Sequence, residues 1–583
     1  MREESELKKQ YKPNYNGTTK VLAPLTAVEH RLGRFDAINE WQNKEEASKK
    51  FLNTRAYRSF INDEYIILIG RTGTGKTSIL NKFKYDIENS TRKDINFSYV
   101  ISLDFKPFLV HLAKLGEIEN TVTSLHSLSE NIEMLLNLEV MRKIYSDTNF
   151  VNLGYSSSNK LYKYLTNNSI SIKLDLFTQA IDEMGKLYAD TTAGKVFGTL
   201  SVLDRLRAKY MTVEYQAIME DIYDFLKNNR MLILIDSMDR YNIREPEVVL
   251  ITQTLVEVAF NSFFNKLNKK NILVKIALPA ELSTWFIYRL PEKQQQNSVT
   301  IEWKYKELIC MIAIRWFYYC KYKSNNKMLI ELANGWTIDD FYDNYNLAKS
   351  FLLKTLPEKC KTNISLSFDT LAYCIRHTQK KPRQLMKIFN VFIDKIINSN
   401  DIRYFFNYPH EISECIHSTQ TDIISDAVNM YNDYANLRTL EICSDILYKK
   451  KFFITKKELM DSIKTIIKND KYRFKLNINM DEGEWFDILK ESGLIGKVNS
   501  ERYIDKENPY FENTEIIRII VAVFEYQVKD KLIFNKSDYC ILHPMCYEYF
   551  ENIIDYNTLI YPSPANDDED LGDISNYLNK QKL

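Results

Sequence analysis

Eight consecutive residues carry the clearest chemistry in the sequence. Gly70-Arg71-Thr72-Gly73-Thr74-Gly75-Lys76-Thr77 fits the pattern GxxxxGK[ST], with Ser78 next. Three glycines let the backbone curl until several amides point into one space, and a helix starting at the end of the loop adds the positive end of its dipole. Such a nest holds phosphate. In it Lys76 would reach the β- and γ-phosphates of a nucleotide, and the Thr77 hydroxyl would ligate Mg²⁺. The other reading is a glycine turn between strand and helix with an incidental lysine. The flanks speak against it: YIILI precedes the loop, and SILNKFKYDIE, with helical spacing, follows it.

A bound magnesium needs a carboxylate from a second strand, and MLILIDSMDRY, Met231 to Tyr241, offers one. Its five leading apolar residues read as a strand buried on both faces, ending at Asp236, which would hold the metal directly or through water. The residue directly after Asp236 is Ser237, not a second acid, which leaves the catalytic base open. Asp239 is the next carboxylate and the local candidate to orient an attacking water; its alternatives are a helix cap or an ion pair with Arg240. Arg383 lies in the first turn of a helix opened by Pro382, an end where the helix dipole disfavours a cation. It reads either as a sensor that reaches the γ-phosphate or as a surface arginine, and Arg315 has the same two readings.

Positioning these groups takes an alternating chain. NFSYVISLDF (Asn96 to Phe105) reads as a second strand, NILVKIALP (Asn271 to Pro279) as a fourth and NSVTIEW (Asn297 to Trp303) as a short fifth. The apolar helix VVLITQTLVEVAFNSFFNKL falls between the third and fourth. The pattern predicts an α/β fold with a parallel, doubly wound sheet over residues 51–302, preceded by an N-terminal segment, 1–50. Residues 106–229 are too many for one crossover, and the periodicity of ENIEMLLNLEVMRKIY and DLFTQAIDEMGKLYAD makes them a large helical insertion. WKYKELICMIAIRWFYYC opens an α-helical lid, 303–435.

Residues 436–555 have another pattern. Thr455 and Glu458 stand at capping-box spacing, and DEGEWFDILKESGLIGKV holds a short helix stopped by Gly493. Two β-rich runs, IIRIIVAVFEYQV and KLIFNKSDYCILHP, are expected to pair as a hairpin joined near Lys529-Asp530. Helices followed by a hairpin predict a winged helix. Residues 440–480 hold ten basic and five acidic side chains, Lys456, Lys457 and Lys464 among them. That excess suits weak double-stranded DNA binding, and the same unit suits a packing or partner role. Residues 556–583 form an acidic tail.

Composition narrows the classes. The 583 residues exceed one ordinary core, and 45% apolar content with 13 prolines describes a globular chain. Lysine plus arginine (78) balances aspartate plus glutamate (77), so any basic surface is local. The eight cysteines, from Cys310 to Cys546, form no CxxC pair, which points to reduced thiols. The N-terminus lacks a signal-peptide core, and the apolar runs are too short or interrupted for a bilayer. A cytoplasmic protein without membrane contact is expected. Adenine is preferred over guanine because the nearest match to NKxD, Asn268-Lys-Lys-Asn271, precedes the fourth strand and lacks the aspartate.

The order GRTGTGKTSIL, LILIDSMDR, VKIALPAEL, IEWKYKELICMIAIRW, KKPRQLMKIFN and ILHPMCYEYF resembles a group of bacterial P-loop ATPases close to the STAND and initiator-type AAA+ proteins. The likeness covers most of residues 50–555, with the first two motifs the specific ones. Asp236-Ser237-Met238-Asp239 fits the STAND pattern, whereas Arg240 is similar to the membrane-associated KAP ATPases, whose transmembrane insertion is not evident here. The resemblance implies a P-loop NTPase sheet with a helical lid and a winged helix. It further implies an ATP- and Mg-dependent switch that controls a protein partner or its own association, often in bacterial conflict systems such as phage defence. A DNA-associated ATPase of initiator or regulator type, and a nucleotide-binding scaffold with negligible turnover, are the alternatives.

Overall fold

A computed structural model describes residues 31–109, 122–146, 155–171, 179–184, 199–236, 246–264, 271–281, 292–361, 367–428, 431, 439–468, 480–505, 516–527, 531–554 and 558–562. The first sheet has five strands: β1 (Ile67–Gly70), β2 (Tyr99–Asp104), β3 (Met231–Asp236), β4 (Ile272–Pro279) and β5 (Ser298–Thr300). All are paired in parallel, in the order β2-β3-β4-β1-β5. Every residue of β1 and β4 is buried, as is β3 up to Ile235, as strands covered on both faces require; all are apolar runs but for Lys275 in β4. Register sets what leaves the sheet together: Gly70 lies beside Pro279 of β4, and Asp236 beside Asp104 of β2.

Helix α1 (Lys76–Glu88) follows β1 and turns Ile79, Leu80, Phe83 and Ile87 onto the sheet. The long stretch between β2 and β3 is helical where it is described: α2 (Val122–Ser146), α3 (Tyr155–Asn167), α4 (Thr199–Tyr210) and α5 (Val213–Leu226). These helices are not a separate bundle. Their buried residues, Ile132, Leu135, Leu161 and Leu206 among them, belong to the same apolar cluster as the sheet, and α2 packs on α6 (Pro246–Val258). Helix α6 continues through a π-helical turn to Phe264. Among the described residues this is the one helical stretch with the length and apolarity to cross a membrane, and its Val248, Ile251 and Leu255 are buried in the cluster.

After β5 the chain is helical, with α7 (Tyr305–Tyr318), α8 (Thr370–Arg376) and α9 (Pro382–Ser399), and a small hairpin of β6 (Lys359–Lys361) and β7 (Ser367–Asp369). The last part holds β8 (Phe453–Thr455), α10 (Lys456–Ile467), α11 (Glu482–Glu491), β9 (Ile495–Asp505), β10 (Ile516–Phe524), β11 (Tyr539–Leu542) and β12 (Thr558–Pro562). The expected hairpin is re-paired. β10 lies antiparallel to β9 and parallel to β12, whereas β11 pairs with β9 and β8, giving the order β12-β10-β9-β11-β8. Strand β9, IGKVNSERYID, is largely polar and gives no apolar alternation, yet it fills the centre of the sheet. One buried cluster runs from α7 through α9 to β10 and β11, so the helical unit and the C-terminal sheet share a core. All eight cysteines are buried thiols.

Candidate functional site

β1 ends at Gly70, and the chain folds back over that residue. A Cβ there would lie 2.6 Å from Thr74 Oγ1 and 2.9 Å from Ile301 Cδ1, so the close approach needs glycine. Gly73 (φ +85) and Gly75 (φ +99) hold the left-handed turns that curl the loop. Gly75 is also the N-cap of α1 and offers no side-chain oxygen, which leaves the first-turn amides open to a ligand. Lys76 is buried and donates from Nζ to the carbonyls of Gly70 (2.7 Å) and Arg71 (3.2 Å). Thr74 Oγ1 donates to the same Arg71 carbonyl at 2.7 Å. Thr72, Thr77 and Ser78 are half-buried. The loop thus holds its lysine with its own carbonyls, which an arriving phosphate would have to outcompete.

Three distant parts of the chain meet this loop. Trp303, just after β5, donates Nε1 to the Thr74 carbonyl at 2.8 Å and packs against both apolar clusters. Arg71 Nη1 donates to the Glu491 carbonyl at 2.6 Å, a cation at the carboxyl end of α11, where the helix dipole favours it. Lys381, the N-cap of α9, brings its Cδ to within 3.7 Å of where a side chain on Gly73 would begin. Arg383 does not take that place: its Nε donates to the Phe35 carbonyl at 3.0 Å. Arg315 also points elsewhere, holding Glu40 with both terminal nitrogens and donating to the Leu32 carbonyl.

The carboxylates sit at the same end of the sheet. Asp236 closes β3, half-buried, with Asp104 of β2 in register beside it. Glu281 follows β4, is 7% exposed, and acts electrostatically on Lys381. Asp239 lies outside the described residues. Thr77 and Asp236 supply the hard oxygen donors that magnesium takes, so the residues fit that ion chemically. Sequence reasoning missed Asp104, Glu281, Trp303 and Lys381. Asp104 and Glu281 had a usable signal, an acid at the end of a β-rich run (SLDF, ALPAEL); the other two are set by tertiary contact alone.

α11 carries Glu482, Glu484, Asp487 and Glu491 against Lys490, and its carboxyl end rests on Arg71. Lys456 is engaged, donating to the Phe534 carbonyl and lying over the Phe486 ring, whereas Lys457 and Lys464 are exposed.

No protein-family profile matches the chain, and no curated protein matches it at a significant level.

Proposed function

We propose that the chain binds Mg-ATP at residues Gly70 to Ser78 on a P-loop NTPase core and converts nucleotide state into movement of a helical lid and a C-terminal winged-helix-like unit. One observation carries this reading: a single eight-residue loop is touched by Trp303, Lys381 and Glu491, each from a different later part of the chain. A phosphate entering the loop displaces the Gly70 and Arg71 carbonyls from Lys76. Because Arg71 also holds α11, the loop cannot rearrange without the C-terminal unit registering it. Thr77 and Asp236 would hold the magnesium, which supplies charge neutralisation on the phosphates. Asp236→Asn should impair magnesium dependence and turnover together, and Asp239→Asn should keep affinity and lose hydrolysis. The output is control of a protein partner or of self-association, a role suited to defence against phage.

The test is nucleotide protection. Mg-ATP should raise the unfolding midpoint of the wild type and change its protease pattern, and Lys76→Ala should abolish both, because the phosphates lose their cation. Arg71→Ala should keep the rise in midpoint but lose the change in cleavage near residue 491. Equal protection of wild type and Lys76→Ala would overturn the assignment.

A further inference from the structure

Six lysines among the described residues are buried: Lys50, Lys76, Lys82, Lys275, Lys381 and Lys490. Five have evident reasons to be there. Lys50 pairs with Glu40 and Glu46, Lys82 with Asp86 and Lys490 with Asp487, while Lys76 and Lys275 donate to backbone carbonyls. Lys381 is the exception. It is 6% exposed, and its ammonium has neither a hydrogen-bond acceptor nor an ion-pair partner among the described residues. A largely buried ammonium with no protein partner is costly, so such a group suits a ligand that would pair it. Backbone geometry explains its direction: Lys381 is extended (φ −97, ψ 129) ahead of Pro382, outside the helix, so its side chain runs to Gly73 and does not cap α9.

We propose that Lys381 is a phosphate ligand supplied by the lid, a second lysine of the nucleotide site that the loop motif does not contain. The inference rests on the reading of residues Gly70 to Ser78 as that site. Four charged groups act on Lys381: Glu281 after β4, Asp426 on the helix Gln420–Val428, Arg71 in the loop and Arg383 on its own helix. Two are acidic and two basic, so burial decides and pushes the ammonium down to about 8. A phosphate beside Lys381 favours its charged form. Nucleotide binding near pH 8 therefore takes up a proton, and affinity falls as pH rises above 8 because the amine must first be protonated.

Calorimetry of Mg-ATP binding at pH 8.2 in Tris and in HEPES, buffers of different ionisation enthalpy, reads that proton directly. Wild type should show uptake of a sizeable fraction of a proton. Lys381→Met should show none and bind roughly tenfold to hundredfold more weakly. Lys381→Arg should recover most of the affinity without uptake, since a guanidinium stays charged throughout. The unliganded Lys381→Met protein should melt no lower than wild type, because it loses an unpaired buried charge. If wild type binds no ATP at all, the nucleotide reading itself fails. If it binds ATP without buffer-dependent heat, or if Lys381→Met melts lower and keeps full affinity, Lys381 is structural and the proposal is overturned.

Discussion

A lysine's meaning depends on what its ammonium meets. Lys275 stands at the centre of β4, the single charge in ILVKIALP, with its backbone beside Leu234 of β3. Its Nζ donates to the carbonyls of Phe60 (2.5 Å), Asn62 (2.6 Å) and Tyr65 (2.7 Å), and lies 4.8 Å from the Phe60 ring centroid. Three acceptors use all three hydrogens of an ammonium, so the side chain gathers the end of the helix Arg55–Phe60 and the turn that leads into β1. Lys275→Met keeps the volume but orphans three carbonyls in the interior. It should lower unfolding free energy by about 2–5 kcal/mol, measured by urea titration. A midpoint equal to that of wild type would show that water or a backbone shift satisfies those carbonyls. None of this was readable beforehand, because the acceptors are over 200 residues away in sequence. The glycine loop was readable because its geometry is local: Gly70, Gly73 and Gly75 shape one turn through their spacing, and Lys76 bonds carbonyls of that same turn.

Elements were legible where one physical constraint acted alone. The five parallel strands emerge within a few residues of expectation because two-sided burial demands a mostly apolar run, unbroken in MLILI and interrupted in ILVKIALP by the one lysine whose ammonium backbone carbonyls satisfy. Gly493, with φ +71 just after the Ser492 C-cap, stops α11 as a left-handed residue should. Strand partners were less legible, since pairing in the C-terminal sheet turns on β9, whose polar sequence hides it. A glycine marks its place. A Cβ on Gly496 would stand 2.6 Å from the Val523 carbonyl oxygen and 2.7 Å from the Phe524 ring, atoms of the adjacent strand β10. Backbone cannot swing aside as a side-chain tip can, so Gly496→Ala must push the two strands apart. A loss of about 1–3 kcal/mol is expected, seen as a lowered thermal midpoint by circular dichroism. A fully tolerated alanine would mean that the β9–β10 pairing is looser than this register.

At the scale of the whole molecule, the helical unit and the C-terminal sheet are sealed together by a buried seam of imidazoles around one arginine. Arg376, at the end of α8, donates Nε to the Ile560 carbonyl of β12 at 2.6 Å. Its Nη1 lies 3.1 Å from His377 Nε2, and His377 Nδ1 lies 2.8 Å from the Tyr373 carbonyl. A carbonyl only accepts, so Nδ1 carries the hydrogen and Nε2 must accept from Arg376; a second proton would set N–H against guanidinium. His417, its ring centroid 6.0 Å from that of His377, faces Ser413 Oγ and Glu548, and His543 is held between Tyr526 and the Met545 amide. Burial, with Arg376 adding to it, holds His377 and His543 well below their usual range and His417 at about 4. In the unfolded chain all three titrate near 6.5. As pH falls from about 6.5 toward 4, the unfolded chain therefore binds protons that the folded chain refuses, and stability is lost at about 1.4 kcal/mol per pH unit for each imidazole. Urea midpoints at pH 7, 6 and 5 should show this fall, and His417→Gln should remove about a third of it by taking out one titrating ring. If the variant falls as steeply as wild type, carboxylates elsewhere set the acid limit and the imidazoles of the seam do not.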